Sequence, residues 1–215
     1  MTHYRAVIFD LDGTLLDTLD DLCDAVNVAL SAHGYPARTR EEVRAFVGNG
    51  VRLLIARALP GGESDSRFEE VFATFLSYYA AHDRQKTAPY PGLVALLTSL
   101  QERGVHVAVV SNKFDAAVRE LCAHYFGGLV EVAVGESPAV PKKPAPDTVL
   151  RAMQLLGVPA ETCVYVGDSD VDIETAKNAG IPCISVLWGF RDRAFLAAHG
   201  AASFAADAAA LAALL

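Results

Sequence analysis

The sequence predicts a doubly wound, mostly parallel α/β sheet with a helical domain inserted after its first strand. Two patterns carry that expectation. Short apolar runs alternate with amphipathic segments along most of the chain, and one stretch, from Asp17 to about Ala81, carries successive helix-period stripes with no strand between them. At 215 residues, 52% hydrophobic and 20% charged, the chain is long and apolar enough to close such a core.

In chain order, Arg5 to Asp10 comes first: a nearly continuous apolar run, ending in a carboxylate and a Gly-containing turn, as a buried strand does. Four helical stripes follow. Leu19, Leu22, Val26 and Leu30 share one face; Thr39 and Glu42 have the spacing of a capping box; Val51, Leu54, Ile55 and Ala58 form the third stripe. Phe68, Val71, Phe72, Phe75 and Tyr79 form the fourth, after the Pro60-Gly-Gly62 break. Apolar runs resume at Val105 to Val110, Leu129 to Val134, Cys163 to Val166 and Cys183 to Leu187. Helical stripes separate them: Leu93, Leu96, Leu97 and Leu100; Val118, Leu121, Cys122 and Tyr125; Val149, Met153 and Leu156; Ile173, Ala176 and Lys177. The Ala-rich stretch 201–215 reads as a last short strand and helix. These assignments give a Rossmann-like α/β domain from residues 1–16 and 88–215 and a helical insertion over 17–87, with hinges near Leu15 to Thr18 and Ala88 to Gly92.

A formal net charge of −8 argues against a general nucleic-acid binder. No apolar run approaches the ~20 residues of a membrane-spanning helix, and Asp10 and Asp12 interrupt the first apolar segment where a signal peptide would stay hydrophobic, so a soluble cytoplasmic protein is expected. Cys23, Cys122, Cys163 and Cys183 form no CxxC pair, and His3, His33, His82, His106, His124 and His199 form no close ligand pair. Any metal should therefore be held by oxygen. The stripes are compatible with a monomer or a homodimer.

Parallel sheets place ligands at the carboxyl ends of their strands, and those ends are polar here. They carry Asp10-Leu-Asp12-Gly-Thr14, Ser111-Asn112-Lys113, Lys142-Lys143-Pro-Ala-Pro146 and Gly167-Asp168-Ser169-Asp170-Val-Asp172. Carboxylates converging on one edge repel each other unless a cation is present, and a hard ion such as Mg²⁺ resolves the conflict. A lysine and a hydroxyl at the same edge suit an anion such as phosphate. Taken singly, Ser111 reads equally well as a helix cap, and Lys143 more readily as an exposed loop residue. Together, a carboxylate nucleophile beside Mg²⁺ and lysine suits phosphoryl transfer through an aspartyl-phosphate.

These four motifs, in this order, resemble those of the haloacid dehalogenase superfamily of phosphohydrolases, and the insertion resembles that superfamily's helical cap. The resemblance implies that Asp10 is the nucleophile and that Asp12 protonates the leaving oxygen and then activates water. It implies Mg²⁺ bound by the carboxylates of Asp10 and Asp168 and the backbone carbonyl of Asp12. It places Ser111, Lys143 and the backbone N–H of Asn112 on the phosphate, and Asp172 one shell out. Ser169 and Asp170 are explained as well by helix capping.

Phe46-Val-Gly-Asn49-Gly50 with Arg52 resembles the cap loop of bacterial phosphoglycolate phosphatases, as do Leu15-Leu-Asp-Thr18, Asp20-Asp-Leu22 and Trp188-Gly-Phe-Arg-Asp192. The Gly-Asn-Gly run reads equally as a tight interhelical turn. The expected partner is a small phosphorylated metabolite, 2-phosphoglycolate first, with Asn49, Arg52 or Arg191 near its carboxylate. Pyrophosphate, a sugar phosphate or a nucleotide is the alternative substrate, and a non-catalytic binding module the alternative of another class.

Overall fold

The computed structural model describes residues 4–215, so His3 lies outside the described residues. In chain order the elements are β1 (Ala6–Phe9), β2 (Leu16–Asp17), α1 (Leu19–Ala32), α2 (Arg40–Phe46), α3 (Val51–Ala58), α4 (Phe68–His82), β3 (Ala88–Pro89), α5 (Leu93–Glu102) and β4 (His106–Phe114). They continue with α6 (Asp115–Phe126), β5 (Val132–Glu136), α7 (Asp147–Leu156), β6 (Cys163–Gly167), α8 (Asp170–Asn178), β7 (Cys183–Val186), α9 (Arg193–Ala198), β8 (Phe204–Ala205) and α10 (Ala208–Leu214). The chain divides into two compact units, one of residues up to Leu16 with Pro89–Leu215, the other of Asp17–Ala88.

In the first unit, a six-stranded sheet has the order β5-β4-β1-β6-β7-β8, and its strand pairs run parallel. The period-two geometry of a strand explains how both faces are filled. Val7 and Phe9 of β1, Val107 and Val109 of β4, and Val164 and Val166 of β6 face one core with α5, α6 and α10. Ala6, Ile8, Ala108, Val110, Cys163 and Tyr165 face the other, with Val149, Ala152 and Met153 of α7 and Ala176 of α8. Slipping β1 by one residue would exchange the two sets, so the register is tightly specified. The chain winds outward from β1 through β4 to β5, then returns to the other side of β1 as β6. That reversal opens a crevice between the carboxyl ends of β1 and β6, where this topology binds its ligands.

Three local expectations change. The second apolar run does not stop at Val110: β4 stays extended to Phe114, with a register shift against β5 after Val110. Ser111 is therefore a strand residue and not a helix cap. The next strand begins at Val132 and not Leu129, because Gly127–Leu129 forms a 3-10 turn that Gly127 enters with φ +55°. On α8 the buried face is Val171, Asp172, Thr175 and Ala176, whereas Lys177 is exposed; a polar residue, Asp172, occupies a position that an apolar stripe would not reveal.

The second unit is helical. α1 buries Leu19, Leu22, Ala25, Val26, Ala29 and Leu30, and α4 buries Phe68, Val71, Phe75 and Tyr79. The α2 capping box forms, with Glu42 N–H donating to Thr39 Oγ1 at 3.2 Å and Thr39 N–H to Glu42 Oε2 at 2.7 Å. Asp21, buried in the first turn of α1, accepts from the backbone N–H groups of Lys86 and Thr87 and from Thr87 Oγ1, tying the entry of this unit to its exit.

Candidate active site

Asp10 follows the last residue of β1, and its N–H donates to Val166 O across the crevice at 2.9 Å. The next residues fold into a tight turn, because the N–H groups of Leu15 and Leu16 both return to Leu11 O. Gly13 is required in that turn: its φ is +86°, and a Cβ there would sit 2.5 Å from Asp168 Oδ2. Thr14 Oγ1 donates to Asp168 Oδ1 at 3.3 Å, and the N–H of Phe190 to Asp168 Oδ2 at 2.6 Å, so Asp168 is held from two directions.

Lys143 Nζ is buried and lies 2.8 Å from Asp10 Oδ1 and 2.7 Å from Asp172 Oδ1. Lys142, its neighbour in sequence, is only half-buried. Asp172 is wholly buried and fully partnered. Its Oδ1 accepts from Lys143 Nζ and Tyr165 OH, and its Oδ2 from Ser169 Oγ and the N–H groups of Asp168 and Ser169. Ser169 and Asp172 form the capping box of α8, which settles the capping reading of Ser169. Asp170 is the first residue of that helix and lies 4.0 Å from Arg191 Nε.

Ligand oxygens of Asp10, Asp168 and Asp172 lie within 4.8 Å of one another. Burial, then the charge of Asp172, pushes the Asp10 carboxyl well above its ordinary range, although Lys143 opposes the shift. Burial and Asp172 likewise push Asp168 up to about 7. Burial would raise Asp172 too, but the charge of Lys143 and hydrogen bonds from Lys143, Ser169 and Tyr165 outweigh it and hold Asp172 below the usual carboxylate range. Burial would lower Lys143, yet Asp10 and Asp172 raise it above the ordinary lysine value. Every donor is a hard oxygen and two carboxyls are strained upward, which fits a divalent cation such as Mg²⁺. Because the lone pairs of Asp172 are already committed, Asp10 and Asp168 are the carboxylates available to it.

The extension of β4 distributes Ser111, Asn112 and Lys113 to opposite sides. Ser111 Oγ donates to Asp12 Oδ2 at 3.4 Å, and Lys113 Nζ lies 3.3 Å from Asp12 Oδ1. Asn112 turns the other way and clamps the Lys143 backbone, its Nδ2 donating to Lys143 O at 3.1 Å and its Oδ1 accepting from Lys143 N–H at 2.7 Å. The side chain of Asn112 is thus spent on holding Lys143.

Asp10, Asp12, Ser111, Asn112, Lys143, Asp168 and Asp172 are brought together in one unit. Asn49 and Arg52 belong to the helical unit, where Asn49 Oδ1 accepts from Arg57 Nη2 at 2.7 Å. Arg52 donates to Glu69 at 2.5 Å and lies over the rings of Phe68 and Phe72. Sequence reasoning assigned no role to Lys113, Tyr165 or Thr14. The signal for Lys113 is its i+2 relation to Ser111 once the strand is known to continue; for Tyr165, it is a hydroxyl in an otherwise apolar central strand.

Residues 7–186 match the family model described as haloacid dehalogenase-like hydrolase. The chain is 37% identical over 192 residues to the phosphoglycolate phosphatase of Pseudomonas putida, covering 86% of this chain and 70% of that one. It is 34% identical over 187 residues to the phosphoglycolate phosphatase of Aquifex aeolicus, covering 86% of both. A crystal structure from Lactobacillus delbrueckii subsp. bulgaricus superposes with a TM-score of 0.93 at 37% identity, over 99% of this chain and 98% of that chain. With Asp10 directly after β1, the buried lysine and the acidic start of α8 arranged on this sheet, the chain belongs to the haloacid dehalogenase-like hydrolases and is a phosphohydrolase of that superfamily.

Proposed function

We propose that the protein hydrolyses 2-phosphoglycolate to glycolate and phosphate in the cytoplasm, through an aspartyl-phosphate on Asp10 and with Mg²⁺ as cofactor. The observation that carries the chemistry is the position of Asp10: a buried carboxylate at the crevice, 2.8 Å from Lys143 and among carboxylates that need a cation. An Asp10 oxygen attacks phosphorus as the bond to the leaving oxygen breaks, and Asp12 gives its proton to that oxygen. Asp12 then takes a proton from water as the water oxygen attacks phosphorus, and the carboxylate of Asp10 departs. Ser111, Lys143 and the backbone N–H of Asn112 hold the remaining phosphate oxygens. Mg²⁺ would be held by the carboxylates of Asp10 and Asp168 and the Asp12 carbonyl, and would supply Lewis-acid stabilisation of phosphate charge. Asp172 orients Lys143.

The substrate reading is supported by the phosphoglycolate phosphatases to which the chain is similar, and in it residues 17–87 serve as the cap domain. Arg191 is our first choice for the substrate carboxylate, because it neighbours Phe190, which anchors Asp168. Asn49 and Arg52 are the cap residues that would assist; Arg52 would have to exchange Glu69 for substrate.

The test is steady-state phosphate release from 2-phosphoglycolate with Mg²⁺, beside glucose phosphates, nucleotides, pyrophosphate and an aryl phosphate. A clear preference for 2-phosphoglycolate is expected, with loss of turnover in Asp10→Asn. Equal rates on unrelated esters would remove the substrate assignment; full activity in Asp10→Asn would remove the nucleophile.

A further inference from the structure

We propose that Lys113 is a positioning residue for the acid–base carboxylate: it fixes the orientation of Asp12. The proposal rests on the assignment of Asp12 as proton donor. A carboxylate pivots about two side-chain bonds, so a single contact leaves its plane free, whereas contacts at both oxygens fix it. Asp12 has one at each. Ser111 Oγ reaches Oδ2 at 3.4 Å, and the Lys113 ammonium reaches Oδ1 at 3.3 Å. Oδ1 is buried and has no hydrogen-bond partner among the described residues, so the ion pair with Lys113 is the contact that locates it.

The backbone explains how two residues of one segment can do this. β4 remains extended through Phe114, and residues two apart on a strand project to the same side. Lys113 N–H also donates to Ser111 Oγ at 3.2 Å, joining the two contacts into one unit. The Lys113 side chain is only 5% exposed, so its ammonium is committed to this pocket and does not range through solvent. Ser111 has a competing task in the proposed reaction, since its hydroxyl must turn to phosphate. When it does, Lys113 is left as the protein group that keeps the Asp12 carboxyl plane in place while the proton passes to the leaving oxygen.

The step Asp12 serves is sensitive to the leaving group. An alkyl ester departs as a strongly basic alkoxide and needs the proton; an aryl ester departs as a weakly basic phenolate and needs it little. General-acid catalysis contributes roughly 10²–10⁴-fold, and loss of orientation alone should forfeit roughly 10–100-fold of it.

The experiment compares kcat/KM for 2-phosphoglycolate, an alkyl ester, with that for p-nitrophenyl phosphate in wild type, Asp12→Asn, Lys113→Met and Lys113→Arg, with thermal melts of each. Lys113→Met should lower the alkyl-to-aryl ratio of kcat/KM by roughly 10–100-fold, and Lys113→Arg, which keeps a cation at the same stem, should recover part of it. Because the ratio is taken within one preparation, a smaller folded fraction lowers both rates and leaves it unchanged. If Asp12→Asn lowers the ratio but Lys113→Met does not, or if Lys113→Met abolishes both rates while melting like wild type, Lys113 does not act through Asp12. If Asp12→Asn itself leaves the ratio unchanged, the acid assignment fails first.

Discussion

Asp172→Asn, conservative in shape, should be among the most destabilising single changes in the α/β unit. Asparagine keeps one acceptor oxygen and replaces the other with an NH₂ group. At Asp172 Oδ1 the fixed donor is the Lys143 ammonium; at Oδ2 they are the N–H groups of Asp168 and Ser169. None of the three can accept a hydrogen bond, so either amide orientation sets donor against donor. Removing one partner of a buried ion pair costs about 3–5 kcal/mol. Because Asp10 remains beside Lys143, the lower end applies, about 3 kcal/mol. Loss of the α8 capping box adds about 1 kcal/mol. The sum, about 4 kcal/mol, approaches the whole stability of a marginal domain. Trp188 is the one tryptophan and lies in this unit, its Nε1 donating to Thr14 O, so its fluorescence reports on the site's own unfolding. With a urea dependence of about 2 kcal/mol per molar, the midpoint should fall by about 2 M. A shift below about 0.5 M would show that the hydrogen-bond accounting around Asp172 is wrong.

Two further outcomes follow from charges the fold buries. The carboxyls of Asp10 and Asp168 are raised, Asp168 to about 7, above an unfolded value near ~3.9. Through that window the native state binds more protons than the unfolded state, so the stability these groups contribute falls as pH rises. Excess Mg²⁺ should compensate increasingly toward neutrality, so the gap between urea midpoints with Mg²⁺ and with chelator should widen from pH 4 to 7; a constant gap would count against a cation on these carboxyls. In the helical unit, Asp21→Ala removes the acceptor for Lys86 N–H, Thr87 N–H and Thr87 Oγ1, and should speed tryptic cleavage after Lys86 and amide exchange at Thr87. Unchanged cleavage would mean that the exit strand is held by other contacts.

The fold was legible because its signals are local and repeated. The apolar run of β1 could only be a strand buried on both faces, and the pairing of β1 with both β4 and β6 is what such a run requires. The site residues were legible for a related reason: a carboxylate directly after a buried strand has no purpose in packing. What sequence could not supply was partner choice. The resemblance assigns only the backbone N–H of Asn112 to phosphate and gives its side chain no task; the structure shows that side chain holding the Lys143 backbone. That contact depends on β4 continuing past Val110, and polar residues at 111–113 look like the end of a strand when read in one dimension. Lys113 was passed over for the same reason. Tyr165 sits within the apolar run Cys163 to Val166, where nothing in one dimension shows that its hydroxyl bonds both Lys143 and Asp172.

The charges in the crevice also explain how an acidic protein can accept a phosphate dianion. Asp10, Asp12, Asp168 and Asp172 stand against Lys113 and Lys143, which leaves the cluster at −2 if every group is ionised. The fold cannot discharge that excess through solvent, because Asp10, Asp168 and Asp172 are buried. It instead divides the carboxylates into two kinds. Asp172 is given the lysine and its full set of donors, and its pKa falls; Asp10 and Asp168 share what is left, and theirs rise. A proton relieves the second pair in the absence of metal, and a divalent cation would displace it and bring the cluster to neutrality. A phosphate would then meet a neutral site that contains Lys143 and Ser111, and the formal −8 of the whole chain, spread over a solvated surface, is screened within about a Debye length. Asp172 sets that division: Lys143 bridges it and Asp10 at 2.7 and 2.8 Å, but the further donors around Asp172 favour its charge, so the demand for a cation falls on Asp10 and Asp168.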